Sequence, residues 1–308
     1  MQKKNEKKFL TYDEQINLLK SKKLEIENVE LAISQLKKYG YFSLVSGYKD
    51  IFKIEKNGNY KTRTTLEDII YLYLFDDYLR NTFLQEIIRI EKHIKSLYSY
   101  SFCALYGDKQ SDYLNVNNYN YGHYQKDINV FITLVNNILD NPERYKYIKH
   151  NITTYGSVPL WVLIQSLTLG NVSKMYNFSS NKLQSQIARE FKNVYGPELS
   201  SMLNILSKFR NVCAHGERLY SYATKKEIKN LPIYSRIDNY TPTARNNLFA
   251  VYICIKYLST DDDFNLFSSH LKNVFNILHN SIKQELASLV MQSMGFPKNW
   301  MDITDLEK

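Results

Sequence analysis

The chain has 308 residues, 44% hydrophobic and 23% charged, with 40 Lys and Arg against 31 Asp and Glu for a net charge of +9. That apolar mass is enough for a real core and excludes disorder and collagen-like repetition. Ten Gly and six Pro are too few for a β protein that must turn every eight to twelve residues or so, and an all-α fold is expected.

Thr11 and Glu14 form a capping box ahead of Ile16, Leu18 and Leu19, so a first short helix is expected to end in the basic run Lys20–Lys23. A second is expected over Ile26–Tyr39. The aromatic, glycine-punctuated stretch Tyr39–Tyr48 suits a tight helical connection, and Lys56–Thr62 reads as a loop closing an N-terminal unit over residues 1–62. From Leu66 to about Leu105 apolar residues recur at helical spacing, which predicts one long scaffold helix. A polar, Asn- and Tyr-rich insertion over Gly107–Tyr124 is followed by helix over Ile128–Lys149. Ser157 as N-cap and Pro159 in the first turn open another helix, whose apolar stripe stops at Gly170. A shorter helix is expected over Asn181–Val194. Gly196 and Pro197 then start the helix that carries Leu199, Met202, Leu203, Leu206, Phe209 and Cys213 on one face. Ala244–Leu258 and Phe264–Leu286 complete a core over residues 63–286, leaving 287–308 as a C-terminal tail.

The positive charge is a field able to attract polyanions, nucleic acid first among them. Tyr113, Tyr119, Tyr121 and Tyr124 offer rings on which unpaired bases could stack, although codons of an AT-rich genome would favour Lys, Asn, Ile and Tyr equally. Cys103, Cys213 and Cys254 include no C-x-x-C pair, so neither a disulfide framework nor a zinc site is expected, and a reducing cytoplasm is. No cofactor is implied. The basic N-terminus MQKKNEKKFL precedes no apolar signal region, and the run from Val158 to Leu169 is short and carries Gln165 and Ser166. Neither secretion nor a membrane span is expected.

The segment Phe209–Tyr220 packs Arg210, Asn211, His215 and Arg218 into the end of a helix. RNA cleavage without a metal needs a group to exchange a proton at the 2′-hydroxyl or the leaving 5′-oxygen and a cation on the phosphate. His215 and Arg210 are of those types. At about 100° per residue they stand roughly 140° apart, whereas Asn211, His215 and Arg218 share a polar face and Arg210 falls in the apolar stripe. A guanidinium there needs a partner or an outlet to water. Glu91, on the apolar side of the scaffold helix near Ile87, Ile94 and Tyr98, is the candidate, orienting Arg210 toward a phosphate. The competing possibility is a local pair of Glu91 with Lys95, four residues on.

Several ordered segments together resemble phage abortive-infection proteins of the Abi-D and Abi-F type. They are LTYDEQINLL (Leu10–Leu19), YGYFSLVSGY (Tyr39–Tyr48), FDDYLR (Phe75–Arg80), RIEKHIKS (Arg89–Ser96), VPLW (Val158–Trp161), FRNVCAHGERLY (Phe209–Tyr220) and MGFPKNW (Met294–Trp300). That family looks like a branch of the HEPN superfamily, whose members are α-helical, usually dimeric and carry an R-x4-6-H ribonuclease motif that needs no metal. The resemblance implies a HEPN-like helical bundle with an N-terminal extension, Arg210 and His215 as catalytic residues, and Asn211 in support. It further implies a toxin-like endoribonuclease of abortive infection, acting as a homodimer whose two motifs meet in one cleft. A small structured regulatory RNA is the expected restraining partner. Lys20, Lys22, Lys23, Lys37 and Lys38 are candidates for its phosphates, and Arg218 and Tyr220 for substrate RNA. The alternative is a non-cleaving RNA-binding or phage-sensing scaffold. Gly216-Glu217 departs from the family's pattern and is expected to loosen the helix end.

Overall fold

The structure, a computed structural model, describes residues 8–54, 58–237 and 244–308. The first seven residues of the basic N-terminus, and Lys56 and Asn57 of the expected loop, lie outside them. Among the described residues there is no β-strand, only two isolated bridges.

The chain divides into two compact units. Unit 1 comprises Met1–Leu79 and Leu271–Met291. It opens with α1 (Tyr12–Ser21), whose Thr11–Glu14 capping box is fully formed, and α2 (Val29–Tyr39), capped by Asn28. The stretch that follows winds a π-helical turn over Phe42–Ser46, burying Leu44 and Val45, and then a 3-10 turn over Asp50–Phe52. The second helix starts three residues later than expected, at the N-cap Asn28, whose side chain accepts from the Leu31 N–H at 2.9 Å. Unit 1 also takes the first part of α3 (Leu66–Tyr106). There the buried Asp76 accepts a 2.6 Å hydrogen bond from the Tyr48 hydroxyl.

Unit 2 comprises Arg80–His270 and Gln292–Lys308. After the rest of α3 come α4 (Gln110–Leu114), α5 (Tyr121–Asp140), α6 (Lys146–Tyr155), α7 (Leu160–Leu163), α8 (Leu169–Asn177) and α9 (Asn181–Ala188). The single helix expected over Ile128–Lys149 is thus two. Pro142 cannot donate to an α-helical ladder, and a 3-10 turn over Pro142–Arg144 separates them. Likewise Pro159 itself, and not Ser157, stands at the N-cap of the short α7, and Gly170 sits inside α8, which Thr168 caps. The core of the unit is α10 (Gly196–Ala214), packed against α8, α9 and α11 (Leu248–Leu258). All eleven residues of α11 are buried, Lys256 among them, in a helix otherwise apolar on every side.

The stretch Phe264–Leu286 also divides, into α12 (Asp261–Ser281) and α13 (Gln284–Met294). Nor is 287–308 a tail: Phe296 and Trp300 pack on Tyr252 with ring centroids 5.4 and 5.5 Å away, and Ile303 is buried. Unit 1 extends beyond residue 62 and takes in the second half of α12 and most of α13. Among the described residues no helix is long and apolar enough to cross a membrane.

Candidate functional site

Helix α10 exposes Asn211 and ends at His215, and the way it ends fixes the histidine. The Gly216 N–H bonds to the Cys213 carbonyl at 3.3 Å and the Glu217 N–H to the Val212 carbonyl at 3.1 Å. Gly216 supplies the left-handed φ of +67° that this paired closure requires. The glycine therefore does not loosen the helix end, as expected from sequence, but closes it. His215 is the C-cap, its N–H held by the Asn211 carbonyl at 2.9 Å, and its side chain is exposed.

One turn earlier, Arg210 reaches toward α3. Its Nε lies 3.6 Å from Glu91 Oε2, an ion pair too long for a hydrogen bond. The other oxygen, Glu91 Oε1, meets Lys95 Nζ at 2.7 Å. Both partners proposed for Glu91 are present at once. The side chains of Glu91 and Lys95 are only 9% and 8% exposed and that of Arg210 31%. Arg210 Nε and Glu91 Oε2 are themselves buried with no hydrogen bond. Two cations around one carboxylate leave the cluster with a surplus positive charge. Because Nε is buried, the exposed surface of Arg210 belongs to the rest of its side chain. No hydrogen bond or ion pair joins Arg210 to His215 among the described residues.

A second tether lies along the same face of α3. Arg80, buried, donates from Nη1 to the Glu217 carbonyl at 3.3 Å, just past the cap. Arg80 and Glu91 are eleven residues apart, about three helical turns, and so project to one side. Going up α3 from Arg80 to Glu91 means going back along the chain from Glu217 to Arg210, so the two helices run antiparallel here. Sequence reasoning left Arg80 out and treated Lys95 only as a rival partner. The signal was the spacing of Arg80, Glu91 and Lys95 on one apolar-flanked stripe.

The other candidates are dispersed. Arg218 is half-buried, its guanidinium carbon 5.8 Å from the Tyr220 ring centre. Tyr220 is only 3% exposed, so its ring is not open to a base, which corrects its place among RNA contacts. The same correction applies to Tyr113 and Tyr119, buried with hydroxyls donating to the Val158 and Tyr113 carbonyls at 2.7 and 2.8 Å. Burial raises both phenols above their ordinary range. Lys20, Lys22, Lys23, Lys37 and Lys38 all belong to unit 1, Lys22 half-buried and the rest exposed. Among the described residues no group of three or more His, Cys, Asp or Glu is placed to hold a metal ion.

Fold and site together define an all-α protein in which one long helix ends in an exposed histidine beside a half-buried, cation-rich cluster. A family model described as Abi-like protein matches residues 34–221, more than half of the chain, and the chain belongs to that family. The match runs from α2 to just past the end of α10 and takes in Asp76, Arg80, Glu91, Lys95, Arg210 and His215. No curated protein and no solved structure matches the chain.

Proposed function

We propose that the chain is a metal-independent endoribonuclease of abortive-infection defence against phage, a toxin that cleaves RNA at the end of α10. The observation that carries this reading is the surplus positive charge of the Lys95–Glu91–Arg210 cluster, opening to solvent through Arg210 five residues before an exposed histidine. A partly desolvated guanidinium without a full complement of partners favours an anion, and a phosphate takes its fork. In the reaction the 2′-oxygen attacks phosphorus as its proton passes to His215, and Arg210 stabilises the charge that builds on the phosphoryl oxygens. The P–O5′ bond breaks and the leaving 5′-oxygen takes a proton, from the second imidazole of a homodimer or from water. The products are a 2′,3′-cyclic phosphate and a 5′-hydroxyl. Asn211, exposed one turn from His215, is in position to orient substrate, and a bound small structured RNA is the restraint this reading includes.

Incubating purified protein with total RNA in the presence of EDTA tests the reading. We expect cleavage by the wild type and its loss in His215→Ala, with folding unchanged because the exposed imidazole fills no core space. A well-folded His215→Ala protein that still cleaves ends the assignment. Intact RNA with the wild type leaves the non-cleaving RNA-binding scaffold as the better account.

A further inference from the structure

Three lysines of unit 1, Lys22, Lys49 and Lys53, gather around Tyr60, and Asp50 is the carboxylate whose charge reaches Lys53. The buried Tyr60 is the node. Its N–H donates to the Lys22 carbonyl at 2.8 Å, it forms an antiparallel bridge with Lys53, and the Lys53 ammonium stands 5.3 Å from its ring centre. Lys49 lies one turn before Lys53, at the head of the 3-10 turn, where its carbonyl accepts from Phe52 at 3.1 Å. None of these lysines makes an ion pair among the described residues. Burial, then repulsion from Lys22 and Lys49, hold Lys53 below the ordinary lysine range, with Asp50 pulling more weakly the other way.

Three other basic side chains of unit 1 are differently engaged. Lys37 and Lys38 lie over the Tyr12 and Tyr39 rings at 5.6 and 4.9 Å, and Lys61 donates to the Ile51 carbonyl at 3.0 Å. Tyr41 stands close enough to Tyr60 to help raise its phenol, and the next residue, Phe42, opens the π-helical turn with 79% of its surface exposed. Three like charges set against one weaker carboxylate are relieved by an anion. A single strand's phosphates call for cations and its bases for exposed rings.

We propose that Lys22, Lys49 and Lys53 form a binding patch for the phosphates of single-stranded RNA, with Phe42 as the ring on which a base stacks. The choice of RNA among polyanions rests on the nuclease reading above; the patch itself does not. It keeps Lys22, at the end of α1, and replaces the α2 lysines with Lys49 and Lys53 of the connection that follows α2.

The test is fluorescence anisotropy with a short labelled oligouridylate whose sugars are 2′-O-methylated. Such a strand cannot be cleaved through its 2′-oxygen, so failure to bind here and failure to cleave in the nuclease assay are separate results. Lys22→Gln, Lys49→Gln and Lys53→Gln together are expected to weaken binding about tenfold or more and to reduce the salt slope by about 2, near 0.7 per lost phosphate contact. Phe42→Ala is expected to weaken it about fivefold or more. Lys37→Gln with Lys38→Gln should change it less than about twofold, the scale of contacts already committed to rings. The corresponding Arg substitutions at the three patch positions should keep binding and serve as the fold control. Gln and wild-type proteins binding equally would overturn the proposal. So would a wild type that ignores the oligonucleotide, whether or not it captures vesicles of anionic phospholipid.

Discussion

Lys256 and Arg210 are both cations set into apolar helix faces of unit 2, and the unit treats them in opposite ways. Lys256 is buried, donates to the Thr304 carbonyl at 3.2 Å, stands 3.9 Å from Asp261 and lies 5.0 Å from the Phe264 ring centre. Asp261 is in turn 3.2 Å from Lys308, which donates to the Ser259 carbonyl at 2.7 Å. Burial lowers the Lys256 ammonium below its ordinary range, yet its contacts close on the start of α12 and on the segment that follows α13. Arg210 has one long contact to a carboxylate already claimed by Lys95, a buried Nε with no hydrogen bond, and a third of its side chain in water. A buried cation whose partners are complete ties structure together. One whose partners are incomplete at the surface is left to meet an anion, and it is beside this one that the helix ends in His215.

The comparison can be broken most sharply at Glu91. Replacing it with Ala strands the Lys95 ammonium, only 8% exposed, and takes away the Arg210 partner. A buried pair broken on one side costs about 3–5 kcal/mol, and urea unfolding of Glu91→Ala should show a loss of that size. A loss below about 1 kcal/mol would mean that both cations find other partners and that the cluster is not a unit. The smaller effect is expected at Lys256. Lys256→Met keeps the side chain's bulk and strands no buried charge, because Asp261 is 71% exposed and keeps Lys308. Its unfolding free energy should change by about 1 kcal/mol or less. A much larger loss would place Lys256, and not Glu91, at the more consequential buried charge.

Much of the helical plan was legible because its signals are local. The Thr11–Glu14 capping box, the long apolar periodicity of α3 and the Gly196-Pro197 start of α10 all stand where the sequence puts them. The break at Pro142 carried its signal in the proline itself. The division between α12 and α13 carried none: no Gly or Pro stands between Ser281 and Gln284, and Ile282 between the two helices is buried.

The site divides in the same way. Glu91 was legible as a partner for Arg210 because a charge in an apolar stripe demands one. The sharing of Glu91 with Lys95 was not, since it depends on the reach of α10 across α3. The tyrosines misled for a related reason. Composition makes them look like surface rings, whereas Tyr113, Tyr119 and Tyr176 are core residues whose hydroxyls reach main-chain carbonyls.

On the proposed function Arg210 is held for a phosphate and not for the fold, and Arg210→Lys tests this when cleavage rate and unfolding free energy are measured on the same protein. Lysine keeps the charge facing Glu91 but loses the planar fork that grips two phosphoryl oxygens. The account predicts a fall in RNA cleavage of about a hundredfold or more with stability changed by about 1 kcal/mol or less. Cleavage retained at the wild-type rate, or lost only in proportion to a fold that has come apart, would contradict it.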